Sequence, residues 1–266
     1  MEGELRRQLN EEWRYKDKSK VREPGFKQVP NFSRGVGDGV DSSIIPPIAV
    51  TQKALWFSAD FGAYSDTAGT LLCNNGDSVK VWVDRSGNGR NTSLLDAFPS
   101  YKVSQVAGYP CIRFTSIQSI QTGVYTISGG FTFFIVGRIW NTNQDTNYFM
   151  GNRIAGITYG LRYQISTTTW GDSSLVGSST ADITKFYCFN GVNSGPGTNY
   201  YLSNTLLVTG TSNSTTWNNP VIGTSDTGGD IGGNVDIAEI LVLNNQVNDY
   251  TRRGLVAYFQ AKYGIP

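Results

Sequence analysis

Ten consecutive residues, Phe131-Thr-Phe-Phe-Ile-Val-Gly-Arg-Ile-Trp140, constrain this chain more than any other stretch. Apolar side chains occupy odd and even positions alike, so a strand made of them buries both faces. Such a strand belongs in the middle of a sheet, with one layer above it and another below. The residues after Ala54 supply the neighbours. Ala54–Asp60, Val79–Val83, Pro110–Thr115, Tyr159–Ile165, Lys185–Val192, Asn199–Val208, Pro220–Ile222 and Val235–Leu243 all read as strands. Between them lie Gly, Asn, Asp and Ser, which set turns through positive φ and side-chain-to-backbone bonds. Asp84-Arg85-Ser86-Gly87-Asn88-Gly89 is the most compact of these turns. The pattern predicts an all-β sandwich of two antiparallel sheets.

One helix closes the chain. Asn248 is placed to cap it, Leu255, Val256, Phe259 and Tyr263 recur at helical spacing, and Gly264 followed by Pro266 ends it. The other end differs in kind. Residues 1–40 hold 9 Lys+Arg and 7 Asp+Glu out of 43 charges in the chain, and the change in charge density marks a boundary at Ser42–Pro47. We therefore divide the chain into an extended N-terminal arm, 1–47, and a sandwich, 48–266. Leu5, Leu9, Trp13, Tyr15, Phe26, Val29 and Phe32 are apolar anchors strung along the arm. They suit a segment that orders when it lies on a partner, although the composition also fits a disordered tail.

Several function classes fall away. The chain has no histidine, which removes the commonest general base and metal ligand. Its three cysteines, Cys73, Cys111 and Cys188, show no CxxC spacing, and an odd count does not make a disulfide framework. A net charge of +1 offers no field for nucleic acid or for an acidic membrane surface. No run of apolar residues is long enough to span a bilayer, and residues 1–20 lack the apolar centre of a secretion signal. The expectation is a chain that stays in the cytoplasm or leaves by a route other than cleavable-signal secretion.

Four stretches, in order, resemble a known group. They are ALWFSAD from Ala54, VKVWVDRSGNGRNTS from Val79, AGYPCIRF with GGFTFFIVGRI, and VDIAEILVLNNQVNDYTRRGLVAYFQAKYGI from Val235. Together they look like the concanavalin A-like lectin/glucanase superfamily, and more closely its laminin-G-like branch, as found in phage and virion surface proteins. The resemblance covers about Ala54 to Pro266 and implies a jelly roll of two antiparallel sheets, one of them concave. It says little about activity, because that fold carries lectins, hydrolases and structural modules.

Laminarinase-type hydrolases of the superfamily carry Glu–x–Asp–x–x–Glu on their active strand. Asn234, Asp236 and Glu239 align with that pattern, with an amide where the nucleophile belongs. A retaining glycosidase needs two carboxyl groups about 5 Å apart, and an amide cannot attack the anomeric carbon. The sequence therefore predicts no enzyme. For glycan binding the candidates are Trp170 with Gly171 and Asp172, and Trp217 with Asn218 and Asn219, as aromatic plates beside polar groups; packing over a sheet edge is the competing reading. Asp84 and Asn88 offer oxygens to calcium, but one turn supplies too few ligands by itself, so no cofactor is expected.

The expected protein is a non-enzymatic virion structural, decoration or fibre-type component on the particle surface, otherwise extracellular. It would present a lectin-like domain for binding a surface, cell-surface glycans included, hold other virion proteins through the arm, and could form a homo-oligomer. Two further readings stand beside it: a free carbohydrate-binding lectin that meets cell-surface glycans, and a degenerate glycoside hydrolase.

Overall fold

The computed structural model describes residues 44–94, 97–115, 118–151, 160–172, 174–212, 216–224 and 232–266. The seven anchors assigned to the arm lie outside the described residues. In chain order the strands are β1 (Lys53–Ser58), β2 (Ala63–Tyr64), β3 (Val81–Trp82), β4 (Ser93–Leu94), β5 (Ser100–Val106), β6 (Tyr109–Arg113), β7 (Ile120–Gln121), β8 (Thr126–Ile127), β9 (Phe131–Ile139), β10 (Thr146–Gly151), β11 (Gly160–Gln164), β12 (Thr169–Gly171), β13 (Val176–Ser178), β14 (Tyr187–Asn193), β15 (Thr198–Leu202), β16 (Thr205–Gly210), β17 (Trp217–Asn218), β18 (Val221–Ile222) and β19 (Val235–Leu243). One helix, α1 (Asp249–Tyr263), follows them.

Two antiparallel sheets form the sandwich. The larger runs β16-β15-β14-β9-β19-β6-β5 with β1 also on β19, and the smaller runs β13-β12-β11-β10-β18-β7-β4. The doubly apolar stretch is β9, between β14 and β19, as its pattern requires. Phe131, Phe133, Ile135 and Ile139 face the layer between the sheets, whereas Phe134 and Val136 face α1. Both sides of β9 are thus withdrawn from water, at about 1.5–3 kcal/mol for each large apolar side chain.

The other edge of β19 is shared. β6 pairs with it at Asp236 and Ile237, and β1 pairs along Glu239 to Leu243. Between these two segments β19 carries a bulge: Ile237 faces Gly137 and Glu239 faces Val136, which leaves Ala238 as the extra residue. Asp236 and Glu239 consequently point to the same side, toward α1, although they are three residues apart.

The helix is anchored as its sequence predicts. Asn248 Oδ1 accepts a bond from Thr251 N at 2.9 Å, and Gly264 adopts the left-handed conformation at φ +60°. Phe259 is fully buried, 5.8 Å from the Phe134 ring. The residues just before 48 lie against this helix: Ile45 N donates to Gly254 O at 3.0 Å, and Pro47 is buried.

Two local readings change. Asn199–Val208 is a hairpin, β15 and β16, because Ser203 turns the chain at φ +52°. Trp170 and Gly171 lie within β12, where the polar sequence suggested a loop. Short strands flanked by Thr, Ser and Gly lack the apolar run that marks a strand in sequence.

Candidate functional site

Trp170 and Trp217 are 1% exposed, so neither presents a plate to a sugar. The Trp170 ring packs against Tyr163 and Phe189 at 4.8 and 5.2 Å, and the Trp217 ring lies tilted 4.5 Å from Phe131. Large aromatic rings gain more from filling the inter-sheet layer than their polar flanks gain from water. Asp172 is equally buried and fully engaged. Its carboxylate accepts from Ser174 N, Leu175 N, the Tyr200 hydroxyl at 2.6 Å and the Ser212 hydroxyl. Burial, and then the Asp172 charge, holds the Tyr200 phenol well above its ordinary pKa, so it remains a donor. Asn218 receives the Thr126 hydroxyl, and Asn219, at φ +46°, receives Tyr125 N. These five residues build the interior and its turns.

The aligned strand presents no carboxylate either. Asp236 is fully buried between Arg113 and Arg138, which face it from the two neighbouring strands, β6 and β9. Glu239 is fully buried under α1 and takes bonds from Trp56 Nε1, Lys262 Nζ and the Tyr263 hydroxyl, each at 2.7 Å. Burial disfavours the Lys262 ammonium, yet Glu239 foremost, with Tyr263 and Asp60, holds its pKa well above the ordinary lysine value. Asn234 is held by Asn147 Oδ1, which receives its backbone N–H at 2.9 Å. Sequence reasoning read Asp236 and Glu239 as ordinary strand residues; each is the hub of a buried ion network.

Asp84 also works for the fold. Its two oxygens receive Trp56 N, Ser86 N, the Ser86 hydroxyl and Arg90 N, while the Asn88 amide donates to Lys53 O at 2.7 Å. The turn has a second effect. Asp84 N donates to Asn91 Oδ1 at 3.0 Å, which fixes the Asn91 amide beside a shallow, open groove of about 340 Å³.

That groove forms where β2 and β3 pair, Tyr64 opposite Val81. Tyr64, Ala68, Val81 and Val83 contribute apolar patches, and the neutral polar groups of Thr67, Asn91 and Thr92 also line it. Its rim is a loop closed on Asp66, whose carboxylate accepts Thr70 N, Leu71 N and the Thr70 hydroxyl at 2.7–2.9 Å. Those bonds, led by the Leu71 amide, pull the Asp66 pKa down to about 2. Gly62 lets the two strands close: at φ +71° a Cβ there would lie 2.7 Å from Val83 Cβ. Thr92 Oγ1 receives Trp82 N at 2.8 Å, and Trp82 Nε1 donates to Ser58 O, so the far wall is pinned to the core. The Tyr64 hydroxyl and Asn91 Nδ2 form no hydrogen bond among the described residues. The lining carries no charge, and its volume falls at the small end of the roughly 300–1,000 Å³ of ligand pockets. It suits a small, uncharged polyhydroxyl ligand. Sequence reasoning missed it because Tyr64 and Thr67 belong to no motif, and they meet Asn91, near the end of the VKVWVDRSGNGRNTS stretch, only through the β2–β3 pairing.

No protein-family model matches the chain, and no curated protein matches it in sequence. Solved structures match its fold. Trypanosoma rangeli sialidase in complex with sialic acid is similar at a TM-score of 0.54 and 14% identity, over 78% of this chain and 33% of that one. An arabinofuranosidase complexed with arabinofuranosyl-alpha-1,2-xylobiose gives 0.54 and 14%, over 72% and 52%. The binding domain of Paraclostridial Mosquitocidal Protein 1 gives 0.51 and 15%, over 70% and 51%. The chain spans about a third of the sialidase and half of the other two. At these identities the likeness establishes a sheet-rich sandwich of the jelly-roll type.

The expectation of a non-enzymatic virion or fibre protein is overturned by these matches. The sialidase and the arabinofuranosidase are glycoside hydrolases, so the fold is carried by enzymes that act on glycosides, and nothing in the matches points to a particle component.

Proposed function

We propose that this chain recognises glycans as the β-sandwich unit of a glycoside-processing protein, with the groove beside Tyr64 as its neutral-sugar subsite. The uncharged lining of that groove carries the reading, with an aromatic ring, an oriented amide, two threonines and the apolar side chains of Val81 and Val83. The apolar face of a sugar ring can rest on the Tyr64 ring while its hydroxyls find the amide and phenol. The fold's occurrence in glycosidases supports it, and the four ordered motifs support the laminin-G-like branch within that fold.

The test is calorimetric titration of the intact chain with neutral arabino-, xylo- and galacto-oligosaccharides. Binding is expected, with about a tenfold loss in Tyr64→Ala and in Asn91→Ala, equivalent to about 1.4 kcal/mol. Absence of binding across the panel, or an affinity indifferent to Tyr64, overturns the reading.

Hydrolysis by the chain itself is a second reading, and one contact favours it. Lys262 bridges Glu239 to Asp60, whose side chain is 26% exposed. Burial raises the Asp60 pKa, but Lys262, the Ser58 hydroxyl and Arg85 together outweigh it and hold the carboxylate below its ordinary value. Release of reducing sugar that Asp60→Asn abolishes would place the chemistry here; release that survives the substitution, or no release, excludes it.

A further inference from the structure

We infer that Arg113, Arg138 and Trp140 form a second subsite, for the carboxylate of an acidic sugar, on the α1 side of the larger sheet beyond the end of the helix contact. The inference rests on the glycan-binding reading only in taking the bearer of the anion to be a sugar.

The side follows from alternation. Cys111 and Val136 pack in the cluster under α1, and Arg113 and Arg138 lie two residues further along the same strands. Both guanidinium groups meet at one carboxylate. Arg113 gives Nε and Nη2 to the two Asp236 oxygens at 2.7 and 2.8 Å, and Arg138 gives Nε to Oδ2 at 2.9 Å. Arg138 Nη2 goes to Gln105 Oε1 at 3.1 Å. Nη1 of each arginine has no partner among the described residues. Two cations on one buried anion leave a positive excess, and Lys102, opposite Cys111 on β5, adds to it on the same face. Asp236 is inaccessible, while the arginine side chains keep 22% and 23% exposure, so the surplus charge is at the surface and its counter-charge beneath.

Aromatic rings back both groups. Arg113 lies 4.6 Å from the Trp140 ring centroid and Arg138 lies 4.8 Å from that of Phe186. Rings in this position hold a guanidinium flat and restrict its rotamers, which preorganises the free edge. Trp140 is the one tryptophan among the described residues that is not buried, and its Nε1 is fixed to Phe114 O at 2.8 Å. A guanidinium edge beside a fixed, half-exposed indole offers a carboxylate a charge-assisted bond and the attached ring an apolar surface. Neutral sugars use only half of that offer, and the groove at Tyr64 lacks the charge.

The experiment titrates the intact chain with N-acetylneuraminic acid and glucuronic acid, with their methyl esters, and with acetate and sulfate. The acids are expected to bind and the esters to bind about tenfold more weakly. Arg113→Lys keeps a cation against Asp236 but removes the planar fork, and it should lower acid affinity about tenfold with an unchanged far-ultraviolet spectrum. Trp140→Leu, which leaves Asp236 untouched, should reduce the preference for sugar acid over acetate. Tyr64→Ala should weaken neutral sugars alone, so failure of the groove and failure of this subsite read out separately. The inference is overturned if no acid binds, if acids and esters bind alike, if acetate or sulfate displaces the sugar acid at equal concentration, or if both Arg113→Lys and Trp140→Leu bind as the parent does.

Discussion

The two sides of the larger sheet are built from the same strands and held by different forces. Toward the smaller sheet the contacts are aromatic and continuous: Phe133 alone lies within 6.4 Å of Phe131, Phe189, Tyr200 and Trp217. Toward α1 the apolar contacts surround two buried charges, Glu239 with Lys262 and Asp236 with its arginines. An aromatic layer loses volume when one member is truncated, and its neighbours share the damage. A buried ion pair has no such redundancy, because losing one partner strands the other in a medium that cannot solvate it. Position on alternate sides of β19 thus decides which kind of failure a substitution produces.

Truncation of the aromatic layer should show the largest effect. Phe133→Ala is expected to cost about 3–5 kcal/mol, read as a shift in the denaturation midpoint; a cost below about 1 kcal/mol would mean that the layer can close over the gap. Next comes Lys262→Met, which leaves Glu239 buried without its cation and should cost about 3 kcal/mol. The double variant Glu239→Gln/Lys262→Met should recover most of that loss, whereas additive losses would show that the pair does not act as a unit. The same pair sets an alkaline limit. The Lys262 pKa is raised, so its contribution is whole below the unfolded value near 10.5 and fades as pH rises through the higher folded value. A parent chain whose midpoint falls before about pH 10 contradicts that assignment. Removing the helix cap with Asn248→Ala should cost about 1 kcal/mol, much less than either layer.

The smallest effect concerns the groove rim. Asp66 has its pKa depressed from the ordinary carboxylate range to about 2, so the loop's hold on it persists above about pH 4 and is lost as pH falls toward 2. Neutral-sugar affinity should decline across that window with no change in global fold, and Asp66→Asn should remove the dependence. A nuclear magnetic resonance titration of the Thr70 and Leu71 amides reads the same transition directly.

Periodicity made β9, β19, α1 and its caps legible, because each buries a repeating set of side chains. The aromatic candidates failed for the converse reason. Trp170 and Trp217 stand among Gly, Asp and Asn, and local polarity suggested exposure, yet the inter-sheet layer needed their volume. Strands such as β8, β12 and β13 run for two or three residues, too short for any period to register. The groove and the arginine pair were invisible for a deeper reason. Tyr64 and Asn91 stand 27 positions apart, and Arg113 and Asp236 are 123 apart, so only strand pairing brings them together. Asp84 was read as a turn residue and holds that turn; the sequence did not show that the turn also orients Asn91.

The extra residue at Ala238 has a consequence for anyone recombining sandwiches of this type. β19 keeps two different phases, one on each side of the bulge, and they agree only when Ala238 is counted. Transplanting Val235–Leu243 into a host strand of uniform phase would rotate half of the insert by one residue. Glu239 or Asp236 would then enter the aromatic layer, and Ile240 or Ile237 would replace it at the polar hub. A chimera designed from this strand should therefore carry the bulge and its partners, Gly137 and Val136, as one cassette, and loop grafting is safer at the β2–β3 end than across this seam.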